Sequence, residues 1–153
     1  MRLLTLICLG LIAITSSAQV NLFEPMRKHA VYYEIFGPGL FFGSANYDFT
    51  YGFSAKHALR GRIGLAVYDG VFAVTSVNYS IGEKKHFGEI GLGGTTFYLL
   101  TGEEKPDFFI RPGYRFIGDK GLVVTAAIYV HSTKGSYKED ILFLPGVGVG
   151  YSF

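Results

Sequence analysis

Apolar residues recur at every second position through most of the chain beyond its first thirty residues. That is the side-chain period of a β-strand, and no window longer than a few residues keeps the 3.6-residue period of a helix. Tyr33 and Ile35 alternate with Tyr32, Glu34 and Phe36 in 31–36. Tyr47, Phe49 and Tyr51 alternate with Ser44, Asn46, Asp48 and Thr50 in 40–51, where Phe41 and Phe42 start the pattern. Leu59, Ile63, Leu65 and Val67 oppose Arg60, Arg62, Gly64 and Ala66. Val77, Tyr79 and Ile81 oppose Ser76, Asn78 and Ser80, and Ile90 and Leu92 oppose Glu89, Gly91 and Gly93. Phe108, Ile110, Tyr114 and Phe116 oppose Arg111, Gly113 and Arg115. Val124, Ala126 and Ile128 oppose Thr125, Tyr129 and His131. The chain closes with Val147, Val149, Tyr151 and Phe153 against Gly146, Gly148, Gly150 and Ser152.

Turn-forming residues separate these runs: GPG at 37–39, YGFSAKH at 51–57, YDG at 68–70, GEKKH at 82–86 and IGDKG at 117–121. Longer polar links are TGEEKPD at 101–107 and STKGSYKED at 132–140. The expected fold is all-β, with eight antiparallel strands in up-and-down order. It drops to seven strands if GPG is a kink inside one long strand.

Eight such strands fit two opposite solids. A soluble barrel or sandwich hides its apolar face, whereas a membrane barrel shows that face to lipid and encloses the polar one. The polar face decides between them. Every mid-strand cation on it is arginine (Arg60, Arg62, Arg111, Arg115), while the lysines fall in or beside turns. Arginine's planar fork suits enclosed pairing with carboxylates. Glu34, Asp48 and Glu89 supply three carboxylates for those four cations, close to the balance that a closed interior demands. The expected arrangement is therefore an interior ion-pair network of Glu34, Asp48, Arg60, Arg62, Glu89, Arg111 and Arg115. The opposite face would meet lipid, with aromatics near the strand ends as interfacial girdles.

The amino terminus agrees with export. Arg2 precedes an apolar run from Leu3 to Ile14 and the small residues Ser16-Ser17-Ala18. This reads as a secretory signal over 1–18, leaving 19–153 as a single barrel domain. The only cysteine, Cys8, lies inside the signal, so thiolate metal sites and disulfides are excluded from the mature chain. With both barrel ends in the periplasm, the tight turns fall on the periplasmic side and the longer links outside.

The order of VYYEIFGPGLFFGSANYDF, GEKKHFGEIGLGG, GYRF followed by GDKG, and the closing PGVGVGYSF resembles the small, mostly uncharacterised outer-membrane β-barrel proteins of Gram-negative bacteria. That resemblance implies an outer-membrane location and lipid as the surrounding partner. It also implies that Val147, Val149, Tyr151 and Phe153 form the signal read by the barrel-assembly machinery. It implies no activity.

Other chemistry finds little support. GLGG and GVGVG resemble phosphate loops only in glycine content, since neither leads into a helix or a GK[ST] sequence. They are expected to leave room for interior arginines. The four histidines lack zinc-binding spacing. A net charge of +2 names no polyanionic partner, so nucleic acid is not expected. No cofactor, metal or catalytic residue is assigned, and a monomer is expected. His131, Ser132 and Glu139 would lie together at the outer rim, which keeps a lipid-acyl hydrolase or transferase as one alternative. A soluble periplasmic binding barrel with reversed faces is the other. The leading expectation is a small integral barrel with a side-chain-plugged lumen and a structural or surface-interaction role.

Overall fold

The computed structural model describes residues 27–67, 70–98, 107–134 and 139–153. The signal segment, most of the 101–107 link and the centres of the 68–70 and 132–140 links lie outside these residues. Eight strands run in chain order: β1 (His29–Phe36), β2 (Ser44–Gly52), β3 (His57–Val67), β4 (Val71–Glu83), β5 (His86–Tyr98), β6 (Asp107–Ile117), β7 (Leu122–Lys134) and β8 (Glu139–Ser152). Each pairs antiparallel with its sequence neighbour, and β8 pairs with β1, so the sheet closes into a barrel. Closure leaves no free edge, which any sheet needs where no water is present to hydrogen-bond its backbone.

The links 53–56, 84–85 and 118–121 lie at one end, called the base here. The 37–43 link and the strand ends at Val67, Val71, Tyr98, Asp107, Lys134 and Glu139 lie at the other end, the mouth. The first link is neither a tight hairpin at 37–39 nor a kink. Phe36 and Gly37 take left-handed φ values of 61° and 59°, and Gly37–Phe42 forms a 3-10 helix. The left-handed step ends the alternation, so Phe36 is exposed rather than inward, and Phe42 leaves the strand altogether. Gly37 is required there on two counts: its φ, and a Cβ that would lie 2.9 Å from Tyr129 Cε2.

The alternation elsewhere sorts cleanly into two faces. Outward side chains include Ile63, Leu92 and Phe108, at 65%, 66% and 70% exposure. The inward face holds two layers. A polar layer fills the middle. Towards the mouth an apolar cluster of Ala66, Phe72, Val74, Phe109, Ala127 and Tyr129 closes over it. This aromatic cap departs from the uniformly polar interior expected from sequence. Phe72, Val74 and Phe109 share strand parity with Ser76 and Arg111, so the period-two pattern already placed them inside.

Candidate functional site: the interior charge network

The largest fully buried side chains are Arg60, Arg62, Arg111 and Arg115. Glu34, Asp48 and Glu89 are buried beside them, so strand parity brings all seven residues into one enclosed space. Glu89, inward on β5, is the hub. Its Oε1 accepts from Arg60 Nη1 at 2.6 Å and from Arg115 Nε at 2.8 Å, and its Oε2 accepts from Arg111 Nη1 at 3.1 Å. Ser80 Oγ adds a fourth donor at 3.2 Å. Asp48 on β2 is the second centre. It accepts from Arg62 Nε and Tyr32 OH, each at 3.2 Å, and from Arg115 Nη2. Arg115 therefore bridges the two carboxylates across the lumen.

Tyrosines complete the frame. Arg62 Nη1 and Arg111 Nε both donate to Tyr129 OH, at 2.9 and 3.0 Å. The guanidinium carbons of Arg62 and Arg115 lie 5.1 and 5.4 Å from the centroid of Tyr32, and Arg60 lies 5.2 Å from that of Phe87. Such stacking suits a weakly hydrated guanidinium held out of water. Glu34 is the least satisfied member. Arg62 Nη1 lies 3.5 Å from its Oε2, and neither carboxylate oxygen has a hydrogen-bond partner among the described residues.

The β8 glycines make room, but not for arginines. A Cβ at Gly146 would lie 2.2 Å from Glu34 Oε1 and 2.9 Å from Tyr129 Cε2, and one at Gly148 would lie 2.7 Å from Thr125 Oγ1. On β5, a Cβ at Gly91 would meet Asn78 Oδ1, and one at Gly93 would meet Phe109 and Ser76. The freed space thus holds the partners of the arginines and the cap. The sequence reading aimed these glycines at the wrong neighbours, because inward parity identifies a face but not the axial level at which side chains meet.

At the mouth, His131 is buried with Nδ1 against Asp107 Oδ2, and its Nε2 has no partner among the described residues. Ser132 is exposed on the opposite face of β7. The hydroxyl and imidazole needed for an acyl-transfer site are therefore held apart, as alternation dictates. The acid beside His131 is Asp107, which sequence reasoning had placed in a link. Its signal was the antiparallel offset that sets the start of β6 against the end of β7.

On the outside, Val147, Val149, Tyr151 and Phe153 all project from the barrel wall, at 47%, 58%, 51% and 56% exposure. A polar interior of this kind, filled by side chains, has the dimensions of an eight-stranded barrel and not of a porin.

No protein-family model and no curated protein sequence matches the chain. Solved structures do match in shape. The N-terminal β-barrel domain of Pseudomonas aeruginosa OprF aligns at a TM-score of 0.54 with 14% identity, over 82% of this chain and 95% of that one. The Yersinia pestis outer membrane protein Ail, determined in a phospholipid bilayer nanodisc, aligns at 0.44 with 16% identity, over 84% of this chain and all of that one. The fold is thus similar to that of the OprF barrel domain.

Proposed function

We propose that this chain is an integral outer-membrane β-barrel whose plugged lumen serves a structural or surface-interaction role, with no pore and no catalytic centre. One observation carries this reading: the barrel is inverted. Its most buried large side chains are arginines, while its outward face is aliphatic and aromatic. Water would solvate the opposite arrangement, whereas hydrocarbon solvates this one. The sequence of residues 1–18 and the outward Val147, Val149, Tyr151 and Phe153 support export and assembly by the barrel-insertion machinery.

Fractionation tests the location. The chain should pellet with outer membranes and need detergent for release. It should also run faster on gels when unboiled, as a closed barrel does. Recovery in the soluble periplasmic fraction would refute the membrane reading. Overexpression should leave lipid acylation unchanged in both the natural chain and His131→Ala. An acylation change that His131→Ala abolishes would install the enzyme reading instead.

A further inference from the structure

Three of the four histidines follow a lysine: Lys28-His29, Lys56-His57 and Lys85-His86. Each pair opens an odd-numbered strand at the base, with histidine as the first residue of β1, β3 or β5. Each histidine meets a tyrosine from the following even strand. His29 Nδ1 lies 2.6 Å from Tyr47 OH, and His57 Nδ1 lies 2.6 Å from Tyr79 OH; His86 Nδ1 makes the same contact with Tyr114 OH. The register is identical in all three. The histidine sits opposite Phe49, Ile81 or Phe116, and the tyrosine lies two residues before that partner on the same outward face. A contact built three times in one register, from residues 18, 22 and 28 positions apart, is a designed unit of the base.

Its surroundings are cationic. Arg27, Lys28, Lys56, Lys84, Lys85 and Lys120 lie at the base with only Glu83 and Asp119 as acidic side chains among the described residues there, a side-chain charge of +4 before the carboxylate of Phe153 is counted. Lys56 pairs with Glu83 and Lys85 with Asp119, but all four side chains remain substantially exposed. Exposed pairs of this kind are weak enough to exchange for another anion. A phenol is a good donor towards an imidazole nitrogen, and in the tautomer where the tyrosine donates to Nδ1 the ring proton lies on Nε2. Nε2 then carries the N–H, and the lysine that precedes each histidine adds a cation at the same end of the strand, at the level where aromatic rings mark the interface of a bilayer.

We infer that each Lys-His-Tyr unit is a docking site for the phosphate of an anionic phospholipid headgroup, giving three such sites around the base. The occupant follows from charge complementarity, since a positive ring at an interface selects anionic over zwitterionic lipid. Each cationic group near such a surface contributes a factor of roughly five. The inference rests on the membrane reading above.

The test uses the full mature chain in nanodiscs of equal phosphatidylglycerol and phosphatidylcholine, with retained lipids counted by native mass spectrometry. The natural protein should retain up to three phosphatidylglycerols, with a preference of roughly five-fold per site. A combined His29→Phe, His57→Phe, His86→Phe variant keeps a ring at each position but removes the phosphate donors, and should retain fewer lipids. Each single His→Phe change should remove one retained lipid, which keeps the test valid if the combined variant fails to fold. Lys28→Gln, Lys56→Gln and Lys85→Gln together should also lower retention. Equal retention of both lipids by the natural chain would overturn the inference, as would undiminished retention in the histidine variants or an undiminished preference in the lysine variant. A barrel that fails to enter nanodiscs at all would overturn the membrane reading instead, and the unboiled gel shift distinguishes that result.

Discussion

Glu89→Gln keeps the shape of the hub and removes its charge, which makes it the sharpest test of the interior network. Three guanidinium groups approach this carboxylate at 2.6, 2.8 and 3.1 Å. At an effective dielectric near 20, charges centred about 4 Å apart attract by about 4 kcal/mol per pair, or roughly 12 kcal/mol for three. Desolvation of the carboxylate and mutual repulsion of the arginines offset most of that. What survives in measured cases is about 3–5 kcal/mol when one partner of a buried pair is removed. The amide still accepts hydrogen bonds, but the described interior then holds four arginines against two carboxylates. We expect a loss of about 4 kcal/mol, seen as a lower denaturant midpoint with an unchanged slope. The chain has no tryptophan, so unfolding is best followed by far-ultraviolet circular dichroism and the unboiled gel shift. Glu89→Asp retains the charge and should lose less. A loss below about 1 kcal/mol for Glu89→Gln would refute the argument, because it is the value of a solvent-screened surface pair.

Three further outcomes follow from the same geometry. Arg111→Ala removes the donors to Glu89 and Tyr129, and should lower the unfolding midpoint by about 2–4 kcal/mol; no change would mean that this face is wet. Leu92→Arg places a charge at the centre of β5 on the outward face and should cost about 2–4 kcal/mol in a bilayer, while Lys84→Arg at the base should be neutral, both read from folding yield in vesicles. Gly146→Ala forces a Cβ to within 2.2 Å of Glu34 Oε1 and should destabilise by about 1–3 kcal/mol in the same denaturant titration, with Gly61→Ala, where the added atom meets open space, as the tolerant control.

Period-two alternation made most of this fold readable. Inward Asp48, Arg60, Arg62, Glu89, Arg111 and Arg115 follow from parity alone, and parity is fixed wherever one face is charged and the other greasy. Three features escaped for physical reasons. The 37–43 link depends on left-handed φ at Phe36, a residue type that rarely takes it, so no local preference marks the step. The aromatic cap was present in the pattern at Phe72, Val74 and Phe109, but apolar residues on both faces of a strand blur the contrast that reveals a face. The Asp107–His131 contact and the three base tyrosines depend on register between strands. Register is set by closure of the whole barrel, and no single segment carries it.

Register is also what the interior network is suited to select. Four of its contacts reach beyond directly paired strands: Arg60 on β3 to Glu89 on β5, Arg115 on β6 to Asp48 on β2, and Arg62 on β3 to Glu34 on β1 and Tyr129 on β7, while Arg62 with Asp48 and Arg111 and Arg115 with Glu89 join neighbouring strands. A slip of one residue would turn arginines onto the outer face, which the apolar wall already forbids. A slip of two residues would keep every face correct, so the wall cannot detect it. It would displace a side chain by about 6.6 Å along the strand, well beyond hydrogen-bond reach, and strand four guanidinium groups in a closed space. The apolar wall thus fixes which face is outside, and the buried charges fix which of the remaining registers closes. The same argument explains why the network is ionic rather than apolar. An apolar plug of equal volume would fill the lumen, yet it would tolerate the two-residue slip. Glu89, with three arginines from two strands, makes that slip costly.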